Sequence, residues 1–176
     1  MSDIENGLSI KTKRLLLRPI ANSDVPFIKN WLKVGSLFKY WSSRREREGG
    51  ILDTRFYKED DLKKSYHWGV EFEDKVIGEI WVYVEKNSDS AKIAYRVSSE
   101  YWGMGIATES VCAVVKFCFE TINVFRVWAD VFIENKASMH VLENVGFQQM
   151  SVIRNNKVES NYDRGYYIYE MTQKLS

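Results

Sequence analysis

The chain has 176 residues, of which 45% are hydrophobic and 14% aromatic, so it can fold as one domain that buries about two thirds of its unfolded surface. Its 25 Lys and Arg residues are nearly balanced by 24 Asp and Glu residues. Nucleic-acid-binding modules usually carry a clear basic excess, and a membrane helix needs about 20 consecutive apolar residues. We therefore expect a single domain over residues 1–176 that binds neither nucleic acid nor a membrane.

The cysteines and the first residues of the chain indicate the cellular compartment of the protein. Cys112 and Cys118 lie six residues apart on one predicted helix, where they cannot easily reach disulfide distance. Both are interpreted as small apolar residues in a reducing compartment. The opening Met1-Ser2-Asp3-Ile4 has neither the basic start nor the apolar stretch of a signal peptide. These features predict a cytoplasmic protein.

The first part of the chain predicts a strand and a helix, followed by a stretch without a clear pattern. Residues 8–20 alternate and then become apolar, as a strand does. Asn22-Ser23-Asp24 supplies capping side chains for a helix that Gly35 can end. Residues 36–66 are not assigned, and the charged run at 44–48 fits either a solvated loop or a loop that faces the substrate.

The rest of the chain alternates between strand and helix patterns. Apolar residues at helical spacing predict helices over 108–121 and 138–145, the second of which ends at Gly146. Strands are predicted over residues 68–72, 76–84, 92–97, 126–133, 148–155 and 165–172. Periodicity therefore supports an α/β or α+β domain and does not choose between the two.

The segment between the strand at 92–97 and the helix at 108 says most about function. It reads Tyr101-Trp102-Gly103-Met104-Gly105-Ile106-Ala107-Thr108-Glu109. Glycines there let the backbone turn tightly and approach a ligand without a Cβ in the way. The helix that follows begins with amides that have no intrahelical partner, at the positive end of its dipole. This arrangement suits a phosphate or pyrophosphate, and a plain structural turn is the alternative.

Two familiar phosphate-binding loops do not fit this segment. The P-loop ends in Gly-Lys followed by Ser or Thr, which the segment lacks. The dinucleotide-binding fingerprint has Gly or Ala in place of Thr108 and opens its domain, whereas about a hundred residues precede the segment here. A different kind of anion site is therefore required.

Four segments, in order along the chain, resemble one protein family. Residues 100–109 resemble the acetyl-CoA pyrophosphate loop of the GNAT N-acetyltransferase superfamily, and the chain resembles its RimJ/RimL-type branch, which acetylates protein N-terminal amines. Thr12-Lys13-Arg14-Leu15-Leu16-Leu17-Arg18-Pro19 is similar to the opening strand of that branch, and Val76-Ile77-Gly78-Glu79-Ile80 to its central hairpin. Asn135-Lys136-Ala137-Ser138, continuing to Leu142-Glu143-Asn144-Val145-Gly146-Phe147, is similar to its late helix and Gly-Phe turn.

The resemblance implies the architecture and the co-substrate. A GNAT has a mixed central sheet, here of about seven strands, flanked by helices and splayed open between the fourth and fifth strands, where the pantetheine arm of acetyl-CoA lies. The backbone near the splay is expected to pair with that arm, and the amide of Val97 to polarise the thioester carbonyl. The residues expected to bind acetyl-CoA are Tyr95, Arg96, Val97, Ser98, Trp102, Gly103, Met104, Gly105, Ile106, Ala107, Thr108, Asn135 and Ser138.

Two polar residues of the late helix are candidates for binding and catalysis. Asn135 and Ser138 lie three residues apart, on one helix face or at its cap. Asn135 could be a simple cap, and the resemblance implies that it also hydrogen-bonds the pantetheine arm. Many GNATs protonate the leaving thiolate with a tyrosine seven residues after this asparagine, where this chain has Leu142. In the RimJ/RimL-like branch a serine takes that role, and Ser138 matches it; a plain contact to CoA is the alternative.

The sequence leaves the general base open. Glu79 on the central strand is one candidate, although alternation could equally point it into solvent. Relatives of this branch use a carboxylate after the Gly-Phe turn, where residues 155–158 contain none and Glu159 is a substitute. An α-amine titrates near pH 8 and a lysine near 10.4. A site without a clear base therefore suits an α-amine.

Neither a metal site nor a covalent nucleophile is predicted. His67 and His140 are the only histidines, and no group of Cys, His and carboxylates has metal-ligand spacing. His140 is expected at the surface. The Gly-x-Ser-x-Gly motif of serine hydrolases is missing. We therefore expect direct transfer without an acyl-enzyme.

The expected activity is transfer of an acetyl group from acetyl-CoA to a primary amine, a protein or peptide N-terminus being favoured. A small amine (a polyamine, an amino acid or an aminoglycoside) is one alternative acceptor, and a non-catalytic module that binds CoA is another possible role. Residues that could line the acceptor slot, or simply pack in the sheet, are Tyr95, Tyr162, Asp163, Tyr166 and Tyr167. The protein is expected to be a monomer or a homodimer.

Overall fold

The computed structural model describes residues 8–32, 62–153 and 165–173, and the strands in these ranges form one eight-stranded sheet. In chain order the strands are β1 (Ile10–Lys11), β2 (Leu16–Arg18), β3 (Leu62–Phe72), β4 (Lys75–Glu85), β5 (Ser90–Val97), β6 (Arg126–Phe132), β7 (Gln148–Ile153) and β8 (Tyr166–Thr172). Their order in the sheet is β1-β2-β3-β4-β5-β6-β8-β7. Only β5 and β6 are parallel, so among the described residues the sheet is mixed, as the resemblance implied.

The described residues also contain three α-helices. They are α1 (Val25–Leu32), α2 (Ile106–Phe117) and α3 (Lys136–Val145). The sequence predicted each of them: α1 begins directly after the predicted capping residues, and α2 and α3 begin two residues earlier than predicted. Gly35, the predicted end of α1, lies outside the described residues. A π-helical turn, Cys118–Ile122, continues α2, and Gly146, at a φ of +110°, ends α3 as predicted.

Two strands differ from the predictions. The predicted first strand is broken into β1 and β2 by a turn in which the amide of Leu15 donates to Thr12 Oγ1 at 2.9 Å, which is why the sheet has eight strands and not about seven. Strand β3 begins at Leu62, six residues before the predicted start, inside the stretch that the sequence left unassigned. Pairing with β4 stabilises this extension, and single-sequence patterning does not detect such long-range pairing.

The splay lies between β5 and β6, the fourth and fifth strands of the prediction. These two strands pair at only three positions, from Ser90 opposite Arg126 to Lys92 opposite Trp128. Strand β5 then stays paired with β4 as far as Val97, while β6 continues alongside β8. The edge of β5 beyond Lys92 therefore faces an opening, as the family resemblance predicted.

The two faces of the sheet carry different helices. Val111 and Val114 of α2 are fully buried in the larger hydrophobic cluster, which covers one face. On the other face, Ile28 and Trp31 of α1 pack against Val76 at the start of β4. A register shift in the pairing of β3 with β4, between residues 70 and 71, changes which face the first residues of β4 present. The site described below uses both faces.

Candidate active site

The glycine segment has the geometry that its sequence predicted. After β5 the chain forms a 3-10 turn, Ser99–Tyr101, and then passes through Gly103 and Gly105 at φ values of +76° and +75°. The first α-type hydrogen bond of α2 joins the amide of Glu109 to the carbonyl of Gly105 at 3.0 Å. Because Gly105 is the N-cap and has no side chain, the amides of residues 106–108 are left for a ligand. The helix start thus has the form of an anion site.

A latch that the sequence reasoning missed holds this segment against the first strands. We define it as Thr12, Arg14 and Glu109. The Glu109 carboxylate accepts hydrogen bonds from Thr12 Oγ1 at 2.6 Å, from the amide of Arg14 at 2.9 Å and from Arg14 Nε at 2.7 Å. Arg14 Nη1 also donates to the carbonyl of Met104 at 3.0 Å. The latch ties the β1–β2 turn to the loop and to the first turn of α2.

The pKa of Glu109 reflects the latch. Burial alone would raise this pKa, but the hydrogen bonds from Thr12 and Arg14 outweigh it and lower the pKa below its usual range. Glu109 is therefore ionised near neutral pH and holds the latch closed. No spacing rule could have found this contact, because its partners are 95 and 97 residues apart in the sequence.

The amide of Val97 points into the splay. The amide of Ser98 donates to the carbonyl of Ile77 on β4 at 2.7 Å. A Cβ added to Gly78 would lie 2.6 Å from the carbonyl oxygen of Arg96, so that carbonyl also faces β4. The C=O and the N–H of one peptide group point to opposite edges of a strand, and the carbonyl of Arg96 shares its peptide group with the amide of Val97. The amide of Val97 therefore points away from β4, toward the opening.

Trp102 links the glycine segment to the end of β5. Its indole Nε1 donates to the carbonyl of Val97 at 2.8 Å, although 54% of the residue is exposed. The indole therefore orients the strand end next to the splay, and it is not part of the core.

Ser138 meets a tyrosine across the splay. Tyr95 is partly buried on β5 beyond its last pair with β6, and its Oη lies 2.8 Å from Ser138 Oγ and 3.2 Å from the Ser138 carbonyl oxygen. Burial raises the pKa of the Tyr95 phenol, and the hydrogen bond to Ser138 opposes this only in part. The phenol is therefore neutral near pH 7 and can donate a hydrogen bond.

The start of α3 fixes Ser138 from the backbone side. Asn135 is the N-cap, and its Oδ1 accepts from the amide of Ser138 at 3.2 Å. The capping role is therefore present, and binding of pantetheine by Asn135 stays a prediction. Leu142, which stands where many GNATs have a tyrosine, is fully buried in the core. It leaves no hydroxyl at that position.

Glu79 lies on the opposite face of the sheet in a buried charged cluster. It is fully buried, so the possibility that it points into solvent is wrong. Its Oε2 accepts from Arg96 Nε at 2.6 Å and also contacts Arg96 Nη2, while its Oε1 lies 3.1 Å from His67 Nε2. Both carboxylate oxygens are thus engaged.

Aromatic rings enclose this cluster. The guanidinium of Arg96 lies 5.5 Å from the ring centre of Trp31 and 5.1 Å from that of Trp81, within the range of cation–π attraction. His67 stacks on Trp81 with ring centres 4.6 Å apart. Arg96 therefore directs its side chain away from the face that carries Tyr95, and only its backbone is available to pantetheine.

The sequence comparison identifies the family. A sequence profile described as "Acetyltransferase (GNAT) domain" matches residues 14–148. The chain belongs to the GNAT acetyltransferase family. Its site combines the features that the family resemblance implied, a glycine loop before α2 and an opening between β5 and β6. The protein is an N-acetyltransferase, so the non-catalytic alternative is wrong.

Relatives of this GNAT acetyltransferase include one that is named without an acceptor and one that is named for spermidine. "Uncharacterized N-acetyltransferase YoaA" of Bacillus subtilis (strain 168) is 28% identical over 169 residues, which cover 90% of this chain and 94% of YoaA. Spermidine N(1)-acetyltransferase of Escherichia coli (strain K12) is 23% identical over 133 residues, covering 74% of this chain and 71% of that enzyme.

A solved structure shows the same fold. Mycobacterium smegmatis RimJ in complex with CoA-disulfide superposes with a TM-score of 0.76 at 19% identity, covering 94% of this chain and 87% of that one. The predicted likeness to the RimJ/RimL-type branch is therefore confirmed at the level of fold. At this identity the likeness says nothing about the acceptor.

The remaining residues that the sequence singled out in this acetyltransferase are partly outside the described ranges. Glu159, Tyr162 and Asp163 fall outside the described residues, so their predicted roles stay predictions. His140 is exposed as expected. Tyr166 and Tyr167 are partly buried on β8.

The described part of the chain also bears on cysteines, metals and membranes. Cys112 and Cys118 are free, as predicted, but Cys112 is exposed; burial raises the pKa of Cys118 to about 12. Within residues 8–32, 62–153 and 165–173, no three His, Cys, Asp or Glu side chains converge as metal ligands would. None of the helices in those ranges is long and apolar enough to cross a bilayer. The single domain over 1–176, the cytoplasmic location and the oligomeric state stay predictions.

Proposed function

We propose that this enzyme transfers the acetyl group of acetyl-CoA directly to the N-terminal α-amine of a protein or peptide. The observation that carries the choice of acceptor is the state of Glu79, whose two carboxylate oxygens are engaged by Arg96 and His67. A carboxylate that is held in this way is a poor acceptor for the proton of a charged amine. The acceptor must therefore arrive with a sizeable neutral fraction.

Binding of acetyl-CoA is supported by the loop and by the splay. The pyrophosphate would lie against the amides of residues 106–108, at the positive end of the α2 dipole. The pantetheine arm would extend along the open edge of β5 and pair with its free peptide groups as an added strand does. Asn135 would hold the arm from the other side of the opening.

Two groups then act on the thioester. The amide of Val97, which points into the opening, would stabilise the oxyanion that forms when the amine attacks the acetyl carbon; a well-placed donor of this kind contributes about 3 kcal/mol. As the C–S bond breaks, the hydroxyl of Ser138 would give its proton to the departing sulfur. Its position at the first turn of α3, on the edge of the opening, supports this assignment.

The experiment compares two peptides of one sequence. One has a free N-terminus and no lysine, and the other has a blocked N-terminus and one lysine. At pH 7 the neutral fraction of an α-amine exceeds that of lysine by roughly a few hundredfold. We expect a higher kcat/KM for the free N-terminus in a thiol-release assay, with a gap that narrows as pH rises. Equal rates at pH 7 would show that an effective base exists, and the argument for an α-amine would fail.

A polyamine is the second candidate acceptor. The similarity to spermidine N(1)-acetyltransferase favours it. A polycation usually needs uncompensated carboxylates around its binding site, whereas Glu79 is neutralised by Arg96. Four other carboxylates are interleaved with Lys and Arg in the sequence and lie outside the described part of the chain: Asp53, Glu59, Asp60 and Asp61. Including spermidine in the same assay separates the candidates, since a kcat/KM for spermidine above that for the free peptide would favour the polyamine.

A further inference from the structure

Tyr95 and Ser138 form a pair of hydroxyls that joins the two sides of the splay. Tyr95 is on β5, three residues past Lys92, its last pairing position with β6, and Ser138 is on the first turn of α3. Tyr95 Oη lies 2.8 Å from Ser138 Oγ, a normal distance for a hydrogen bond between hydroxyls, and 3.2 Å from the Ser138 carbonyl oxygen, which can only accept. The contact to Oγ is the shorter of the two. In the described part of the chain, this bond connects the open edge of β5 to the residue assigned to protonate the leaving group.

We propose that Tyr95 is a positioning residue whose phenol donates a hydrogen bond to Ser138 Oγ and leaves the serine proton directed at the departing sulfur. The inference rests on the proposed function, because it assigns a partner to the proposed acid. Ser138 has one hydroxyl proton, and it cannot give that proton to sulfur while donating it to Tyr95. A phenol that donates to Oγ resolves the conflict. It also compensates for Leu142, which supplies no phenol of its own.

The proton balance of the step closes without another reactant. The amine nitrogen forms a bond to the acetyl carbon, the C–S bond breaks, and the electron pair of that bond goes to sulfur. Ser138 gives its proton to sulfur, and its oxygen regains a proton from the acylated nitrogen, directly or through water. Because the two proton transfers are concerted, Oγ carries only partial negative charge, and the hydrogen bond from Tyr95 strengthens as that charge develops. Its contribution is thus made mainly in the transition state.

Both hydroxyls are weaker acids than a free thiol, which titrates near 8.5, so a full negative charge on either oxygen is energetically unfavourable. Ser138 Oγ must therefore regain a proton from the acylated nitrogen in the same step in which it gives its own proton to sulfur. The hydrogen bond from Tyr95 stabilises the partial charge that Oγ carries during this step. Ser138 thus donates the proton, and Tyr95 orients and polarises Ser138.

The test is a double-mutant cycle with acetyl-CoA and the free peptide. We expect Tyr95→Phe to lower kcat about tenfold, which corresponds to about 1.4 kcal/mol, and to leave the KM for acetyl-CoA unchanged within about twofold. Ser138→Ala should lower kcat about a hundredfold. The double variant should be no slower than Ser138→Ala, because Tyr95 acts only through that serine.

A matched control removes a different phenol that contacts the same helix. Tyr169 Oη donates to Glu143 of α3 at 2.8 Å and does not touch Ser138. Tyr169→Phe should therefore keep kcat within about twofold of the wild-type value. A loss equal to that of Tyr95→Phe would mean that any weakened contact to α3 slows the enzyme, and the inference would be overturned.

A change of leaving group separates a catalytic effect from a structural one. Selenols are much stronger acids than thiols, so the selenoester analogue of acetyl-CoA needs no proton donor to depart. Tyr95→Phe and Ser138→Ala should both approach the wild-type rate with this donor. A defect that persists would be structural and would overturn the inference.

A conservative replacement of Tyr95 gives a further control. 3-Fluorotyrosine at position 95 keeps the ring and the hydroxyl, so kcat should stay at the wild-type value. A tenfold loss of kcat with 3-fluorotyrosine would also overturn the inference.

The outcomes distinguish failure of this inference from failure of the proposed function. A wild-type kcat in Tyr95→Phe together with a slow Ser138→Ala would overturn the role of Tyr95 and leave the serine acid in place. A wild-type kcat in Ser138→Ala would overturn both. Lack of wild-type turnover with every amine and acetyl-CoA would contradict the proposed reaction itself.

Discussion

At the scale of single residues, some polar side chains both stabilise the fold and lie where they can contact a ligand. Asn135 caps α3 by accepting a hydrogen bond from the amide of Ser138. Near the start of α1, the Asp24 carboxylate accepts hydrogen bonds from the guanidinium of Arg18 and from the amide of Ala21. Loss of such a residue therefore has a stability effect and, at Asn135, a separate binding effect.

Substitution of Asn135 separates the cap from the contact to pantetheine. We expect Asn135→Ala to lower the free energy of unfolding by about 1 kcal/mol through loss of the cap, and to raise the KM for acetyl-CoA. Asn135→Asp keeps an N-cap oxygen and should keep the stability, but it replaces the amide donor that we expect to hold the pantetheine arm. Urea unfolding and steady-state kinetics measure the two effects. A normal KM in Asn135→Asp would leave only the capping role.

Asp24 should make stability depend on pH in the acidic range. Its carboxylate accepts from Arg18 Nη1 at 2.7 Å and Nη2 at 2.9 Å, and from the amide of Ala21 at 2.7 Å. The hydrogen bond from Arg18 is the main reason that the pKa of Asp24 is lowered below its usual range. The contribution of the ionised carboxylate to the free energy of unfolding is therefore fully present above an unfolded-state pKa near 3.9. This contribution is lost as pH falls through the lower folded-state pKa.

The corresponding measurement is urea unfolding of the wild-type protein and of Asp24→Asn at several pH values. At pH 7 the variant should be about 2 kcal/mol less stable, because Arg18 loses its hydrogen bonds to the Asp24 carboxylate and keeps only Glu71 as a charged partner. Below pH 4 the difference should shrink as the wild-type carboxylate becomes protonated. A difference that stays constant to pH 2.5 would contradict the assigned pKa direction.

At the scale of elements, the glycine loop depends on its own backbone and on the latch from β1 and β2. Gly105 has a φ of +75°, and the nearest atom to an added Cβ there is Arg14 Nη2 at 3.5 Å. A side chain is thus tolerated sterically by the protein itself. What it would disturb is the left-handed backbone conformation and the close approach of a ligand.

Alanine at Gly105 should weaken acetyl-CoA binding more than it weakens the fold. The positive φ costs about 1–2 kcal/mol for a residue with a Cβ, and Gly146 at the end of α3 also has a positive φ, +110°. Gly146→Ala is therefore the control for a loss of stability without a loss of binding. We expect both variants to lose stability and only Gly105→Ala to lose affinity in calorimetric titration. Equal affinities would remove the loop from the site.

The latch gives a second test of the loop, with a control on the same helical segment. Glu109→Gln removes the charge that holds Arg14, so the loop should loosen and the KM for acetyl-CoA should rise several-fold, with a stability loss of about 1 kcal/mol. Glu120→Gln removes an exposed ion pair with Lys116, at 3.9 Å, which is expected to contribute little. If the two variants had the same KM, the latch would have no role in binding.

At the scale of the whole molecule, the two faces of the sheet carry different functional groups. The face with α2 and α3 carries Tyr95, while the face with α1 carries the charged cluster around Glu79. The opening between β5 and β6 connects the two faces. An acyl donor lying in that opening could therefore be approached by an amine from the α1 side, with the proton donor on the other side.

Amide hydrogen exchange tests this arrangement. The amide of Val97 points into the opening, whereas the amide of Ser98 is already bonded to Ile77 of β4. Bound acetyl-CoA should therefore slow exchange at Val97 and at Tyr95 more than at Ser98, which serves as the internal control. Residue-resolved NMR with and without acetyl-CoA makes the measurement. Equal protection at all three positions would indicate general stabilisation and would contradict a pantetheine arm paired with β5.

The sequence by itself determined the local features of this protein. The glycine turn before α2, the Asn cap of α3 and the order of strands and helices follow from backbone preferences within a few residues of each other. Such preferences are readable because glycine, asparagine and apolar periodicity act locally. The family resemblance added the position of the splay, which periodicity alone does not predict.

Only the tertiary structure decided the contacts between distant segments. The latch joins residues 95 positions apart, the pair of Tyr95 and Ser138 spans 43 positions, and Glu79 is held by Arg96 from the neighbouring strand. These contacts depend on sheet register and helix docking, which are set by packing of the whole core and not by any local pattern. For this reason the sequence could propose Ser138 and Glu79 as chemical groups, and the fold decided what each of them touches.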